Sequence, residues 1–126
     1  MNDEKDLNVK ETFNLAIKNH QEGKTDIAQE LYNQVLKNNP NHSQALNNLA
    51  VIFTNLKEYQ KAKDFYKKAI EINPNHVGSY NNLGTIFQGL GEIQKAKECY
   101  EKVIKINPNY ANAHYNLGNI FKKLGE

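Results

Sequence analysis

Along this chain, stretches in which apolar residues return every three and four positions alternate with short polar joints. Leu46, Leu49, Ala50, Phe53 and Leu56 form one stripe, and Ala62, Phe65, Tyr66, Ala69 and Ile70 form the next. Both spacings are those of a single face of an α-helix, so each pair of stripes predicts two helices packed face to face. The joint between the two helices holds Gly23, Lys57 or Gly91, placed to supply the left-handed residue that ends a helix, with Lys57 doing so at some backbone cost. The joint after the second helix reads Asn-Pro-Asn each time. Proline cannot continue the hydrogen-bond ladder, and Asn41, Asn75 and Asn109 are the predicted caps of the helices that follow.

The pattern repeats. Pro40, Pro74 and Pro108 lie 34 residues apart, and residues 43–76 set against 77–110 give 18 identities in 34 positions without a gap. A fixed period of this size marks a solenoid of stacked helix pairs. The frame places units at residues 9–42, 43–76 and 77–110, a first helix of an incomplete fourth unit at 111–126, and a polar leader at 1–8.

Within this frame the chain resembles the tetratricopeptide repeat family over residues 9–126. The family's order of Leu-Gly, aromatic, Ala, aromatic and Pro stands in the third unit as Leu83, Gly84, Phe87, Ala96, Tyr100 and Pro108. In the second unit it stands as Leu49, Ala50, Phe53, Ala62, Tyr66 and Pro74. The first unit departs from it, with Asn19 at the first-helix aromatic, and the family's tryptophan is replaced by Thr12, Leu46, Tyr80 and His114. The resemblance implies an all-α, right-handed solenoid of three helix-turn-helix repeats plus one helix. Small residues at Ala28, Ala62, Ala96, Gly84 and Gly118 are expected where helices cross closely, at axial distances of about 8–10 Å.

Composition removes several classes of function. Cys99 is the lone cysteine, so no disulfide forms within the chain, and at an apolar helical position it reads as a small hydrophobe. The net charge is +2, and all sixteen basic residues are lysines without the concentrated basic stripe of a nucleic-acid binder. No secretory or transmembrane segment is legible, which places the chain in the cytoplasm by default. No Walker loop, nucleophile elbow, H-E-x-x-H or paired cysteine motif is present, so neither an enzyme nor a cofactor is expected. His42 and His76 stand in equivalent turns one repeat apart, and His20 and His114 lack a partner four residues away, so no metal site is expected. Asp64 with Lys68, Glu98 with Lys102 and Glu101 with Lys105 read as ion pairs on a solvated face.

The chemistry left to consider lies on the first helix of each unit, which in this family lines a concave groove. Asn14, Asn48, Asn82 and Asn116 occupy one point of all four units. They are preceded by Phe13, Asn47, Asn81 and Tyr115, and followed one turn later by Ile17, Val51, Thr85 and Asn119. An asparagine offers both a carbonyl acceptor and an amide donor, the complement of a peptide group. First helices about 9–10 Å apart would meet an extended chain, rising ~3.3 Å per residue, at every third residue. The series resembles the asparagine ladder in the repeats of O-linked N-acetylglucosamine transferase, which implies a track for peptide backbone. The alternative is that each asparagine ties one helix to its neighbour.

The candidate groove is therefore Asn14, Asn47, Asn48, Val51, Asn81, Asn82, Thr85, Tyr115, Asn116 and Asn119, and the expected partner is a protein or peptide. The carboxylate clamp of co-chaperones in this family is matched only in fold. Phe13 and Ile17 stand where its lysine and asparagine are expected, and Gly78 and Asn82 at its later basic positions. The last helix keeps the interior pattern Leu117, Ile120, Phe121 and Leu124 up to Leu-Gly-Glu. That ending fits a piece of a longer array, the repeat region of a larger enzyme such as a glycosyltransferase, or a homodimer formed through this helix.

Overall fold

The computed structural model describes the backbone of residues 2–125 and the side chains of residues 8–125. Among the described residues there are seven α-helices and no strand. They fall into two compact units, Met1–Ile72 and Asn73–Glu126.

The first unit contains α1 (Asn2–Gln21), α2 (Thr25–Asn38), α3 (Ser43–Asn55) and α4 (Tyr59–Ile72). The backbone of α1 is already helical from Asn2, so the segment read as a polar leader runs straight into the first repeat helix. Helices pack in sequence order, α1 on α2, α2 on α3 and α3 on α4. The core takes Leu46, Leu49, Ala50 and Phe53, then Ala62, Tyr66 and Ala69 from the predicted stripes, with Phe65 and Ile70 half-buried, and adds Phe13, Ala16, Ala28, Tyr32 and Val35 from the first helix pair. Burying a side chain the size of Leu or Phe contributes about 1.5–3 kcal/mol, so these positions rather than helix propensity hold the unit together. Leu56 is an exception to the stripe. It caps the C-terminus of α3 and is exposed, because the helix ends one residue before it.

The second unit contains α5 (Val77–Gly89), α6 (Ile93–Ile106) and α7 (Ala111–Leu124), with α6 packed between the other two in sequence. Its core uses Leu83, Ile86 and Phe87, then Ala96, Cys99, Tyr100 and Val103, then Ala113, Leu117 and Ile120. Gly84 is a point of close approach: a β-carbon there would lie 2.9 Å from Tyr100 Cε1 and 3.1 Å from Cys99 Cβ. A β-carbon at Gly118, at the same repeat position on α7, would meet nothing within 4 Å among the described residues.

The turns inside each helix pair follow the sequence. Gly23 and Gly91 have φ of 78°, and Lys57 takes the same left-handed role at 63°. Each turn closes with a paired Schellman pattern, as in Glu58 N–H donating to Phe53 C=O at 2.8 Å and Lys57 N–H to Thr54 C=O at 3.0 Å.

The Asn-Pro-Asn joints work differently from the expectation. The capping residues of α3 and α5 are His42 and His76, whose Nδ1 atoms accept the backbone N–H of Ala45 at 3.1 Å and Ser79 at 3.0 Å. Asn41, Asn75 and Asn109 do not cap: their backbone N–H groups donate to the side chains of Asn39, Asn73 and Asn107. The first asparagine of each joint thus rigidifies the turn as an Asx motif. That moves the cap one residue on, to a position where only a histidine or tyrosine is available. Tyr110 has no acceptor that reaches, and α7 starts without a side-chain cap.

The ion pairs also differ from expectation. Ion pairs form between Lys61 and Glu58 at 3.8 Å and between Lys95 and Glu92 at 3.6 Å. Lys61 and Lys95 also lie over the rings of Phe53 and Phe87, at 5.6 and 5.7 Å. Asp64 instead accepts Gln60 Nε2–H at 3.1 Å. A lysine that covers an aromatic ring and meets a carboxylate three residues back has two attractions, whereas the predicted i,i+4 pairs offer one exposed contact worth only ~0.3–0.5 kcal/mol.

Candidate functional site

In the first unit the ladder position is occupied by a connected chain of side chains. Tyr32, at the centre of the α2 stripe, is 1% exposed, and a buried phenol needs a partner for its hydroxyl. Two first helices supply it. His20, in the last turn of α1, places Nδ1 3.2 Å from the Tyr32 hydroxyl with the rings edge-on at 5.9 Å, and Asn48 on α3 makes a side-chain hydrogen bond to it. Asn47 Nδ2–H donates to Asn48 Oδ1 at 3.3 Å. Burial raises the Tyr32 phenol above its ordinary value and the bond from Asn48 opposes that rise. Ile17, His20, Gln21, Tyr32 and Asn48 together line an open, shallow cavity of about 300 Å³.

The second unit solves the same problem with different residues. Tyr100 is fully buried, and its hydroxyl donates to Gln88 Oε1 at 3.2 Å and bonds Thr85 Oγ1 at 3.1 Å. Gln88 stands two repeat lengths after His20, so both units close the second-helix tyrosine from the same place. Burial raises the Tyr100 phenol, the Thr85 bond lowers it, and neighbouring Cys99 raises it. Asn81 is half-buried, and its Oδ1 is fully buried without a hydrogen-bond partner. An unpaired buried amide oxygen costs about 1–3 kcal/mol unless something donates to it.

The expected groove residues therefore divide. Asn14 is exposed on α1, and Asn47, Asn48 and Val51 are half-buried on α3. Asn82 is half-buried and Thr85 exposed on α5; Asn116 and Asn119 are half-buried on α7, where Tyr115 is 71% exposed. Asn48 and Thr85 are engaged with buried tyrosines, and Asn81 is the one with an unused buried acceptor. Sequence reasoning missed His20 and Gln88. The signal available was the tyrosine recurring at Tyr32 and Tyr100 on a buried stripe, which requires a polar neighbour from the first helix. Among the described residues no group of three or more His, Cys, Asp and Glu side chains is arranged to hold a metal ion, and no helix is long and apolar enough to cross a membrane.

Comparison with known proteins places this geometry in a class. Tetratricopeptide-repeat models match residues 11–42, 43–76 and 65–98, and a further TPR repeat model matches 86–125. The chain is built of tetratricopeptide repeats, in an all-α helix-turn-helix arrangement. Among solved structures, it is similar to the first TPR domain of Spaghetti bound to an HSP90 peptide, at 23% identity, TM-score 0.88 and coverage of 95% of each chain. It is also similar to MamA, at 26% identity and TM-score 0.86, over 93% of this chain and 68% of that one. The TPR domain of Sgt2 from Aspergillus fumigatus is similar at 22% identity and TM-score 0.83, over 94% and 80%. No curated protein matches the chain.

Proposed function

We propose that this chain is a protein-interaction scaffold that binds an extended polypeptide along the polar faces of its first helices, and that it is not itself an enzyme. The observation that carries the reading is the set of amide side chains on the first helices of a tetratricopeptide-repeat array, with Asn47, Asn48, Asn82, Asn116 and Asn119 all half-buried rather than enclosed. Such amides complement the N–H and C=O of a peptide group. The similarity to a domain seen with an HSP90 peptide supports peptide binding in general. It does not carry over the acidic-tail specificity, since Phe13, Ile17, Gly78 and Asn82 hold the places expected to be a lysine, an asparagine and two basic residues. The asparagine ladder enters in modified form: Asn82 and Asn116 are offered to the ligand, while Asn48 is engaged with Tyr32.

The test is titration of partners recovered by pull-down against wild type and an Asn81→Ala, Asn82→Ala, Asn116→Ala variant of matched helicity and melting. Loss of binding at least tenfold supports the reading, and unchanged binding overturns it. A second reading rests on α7, where Gly118 is open, Phe121 half-exposed and Leu124 43% exposed. This uncovered apolar face would let a homodimer form through the C-terminal helix. Sedimentation giving a strict monomer at high concentration sinks that reading alone.

A further inference from the structure

We propose that in the unit Met1–Ile72 the group that meets a bound polypeptide is the Nε2–H of His20, donating to an oxygen acceptor of that chain, with Asn48 as the positioning residue behind it. The proposal rests on the peptide-binding reading above and names the contact within it.

In the proposed arrangement each contact of the cluster joins one donor to one acceptor. Asn48 Oδ1 accepts from Asn47 Nδ2–H at 3.3 Å, and the Asn48 amide nitrogen donates to Tyr32. In it the phenol oxygen accepts from Asn48 and the phenol hydrogen goes to His20 Nδ1, 3.2 Å away. A neutral imidazole whose Nδ1 accepts carries its proton on Nε2, on the other side of the ring. Nε2 has no partner among the described residues, and the ring borders the open cavity beside Ile17. With the proton on Nε2, the cavity offers an N–H donor beside the single aliphatic side chain of Ile17, which suits a carbonyl or carboxylate oxygen flanked by an apolar side chain.

The second unit shows the same polarity independently. Tyr100 donates to Gln88 Oε1 at 3.2 Å, so the carbonyl end of Gln88 is committed inward and its Nε2 hydrogens are left over. Two different side chains at one repeat position thus both turn an acceptor toward the buried tyrosine and keep a donor. A ladder running the other way, with asparagine as the outward group in the first unit, would leave the Tyr32 hydroxyl without Asn48.

The experiment is nitrogen-resolved NMR of the full chain at a pH where histidine is neutral, about 8. The His20 ring is expected as the Nε2–H tautomer, and Asn48→Ala or Tyr32→Phe should raise the Nδ1–H form several-fold. The chain is then titrated with acetyl-Ala-Leu-Ala-Leu, ending in an amide or in a free carboxylate. Saturable shifts of the His20 ring are expected, a response to both peptides assigning a backbone carbonyl and a response to the carboxylate alone assigning the chain end. His20→Ala should weaken binding about fivefold, Asn48→Ala similarly, and the double variant no further, while His20→Gln stays within about twofold of wild type. Additive losses in the double variant, or peptides that shift Asn81 and Asn82 but leave the His20 ring still, overturn this assignment and leave the binding reading standing. No shift in either unit overturns both.

Discussion

Replacing Gly84 and Gly118 with alanine, one at a time, should move stability in opposite directions even though the two occupy the same repeat position. In a helix interior alanine is favoured over glycine by about 1 kcal/mol, and both sites receive that gain. At Gly118 nothing lies within 4 Å of the new methyl, so the gain stands. At Gly84 the methyl would lie 2.9 and 3.0 Å from ring atoms of Tyr100 and 3.1 Å from Cys99 Cβ. The Tyr100 ring is fully buried and held by bonds to Thr85 and Gln88, so it cannot recede without loosening contacts worth ~0.5–1.5 kcal/mol each. Overpacking of this kind costs ~1–3 kcal/mol. Ala50 and Tyr66 hold the equivalent repeat positions in α3 and α4, so the repeat tolerates a methyl at this point, and the expected cost is taken near 2 kcal/mol. The net is about 1 kcal/mol lost at Gly84 and about 1 kcal/mol gained at Gly118, roughly 4 °C in melting temperature each way for a domain of this length. Thermal and urea denaturation followed by circular dichroism reads the difference. Equal stabilisation by both alanines would refute the close approach of α5 and α6.

Other outcomes follow from the same geometry. Lys57→Gly should stabilise by about 0.5–1 kcal/mol in urea denaturation, because Lys57 sits at φ 63° where the sister turns use glycine; a loss would mean the lysine side chain contributes more than its backbone strain. Ala62→Leu and Ala96→Leu, at fully buried crossings, should each cost ~1–3 kcal/mol, and a melting series without loss contradicts the packing. Burial lowers the pKa of both His42 and His76, and each must stay neutral at Nδ1 to cap its helix. With the folded-state value below the unfolded one, this stability is present above about pH 6.5 and is lost as pH falls through the folded-state pKa. The urea midpoint should therefore drop between about pH 7.5 and 5.5, and a His42→Asn, His76→Asn variant should lose most of that slope, since asparagine caps without titrating. Linear peptides should bind with dissociation constants near micromolar or weaker, because hydrogen-bond gains of ~0.5–1.5 kcal/mol each compete with ~1–2 kcal/mol to order each residue. A nanomolar titration with a featureless peptide contradicts the estimate.

The helices, their pairing and the core were legible in the sequence because they depend on local period: an apolar stripe at three- and four-residue spacing specifies a buried face wherever the helix goes. The left-handed role of Lys57 followed from its register with Gly23 and Gly91, again a property of position along the chain. What the tertiary structure decided was how polar atoms are shared. The cap fell to His42 and His76 because Asn39 and Asn73 captured the backbone of the expected capping residues. Asn48 became a support and His20 the outward group because Tyr32, buried between them, demanded a partner for its hydroxyl. Gly84 and Gly118 are identical in the repeat frame and differ in what lies against them, Tyr100 and Cys99 at Gly84 and nothing within 4 Å at Gly118. Periodicity encodes which side of a helix is buried, but hydrogen-bond allocation depends on which side chains arrive at one point from separate helices, and that is set only once the helices are packed.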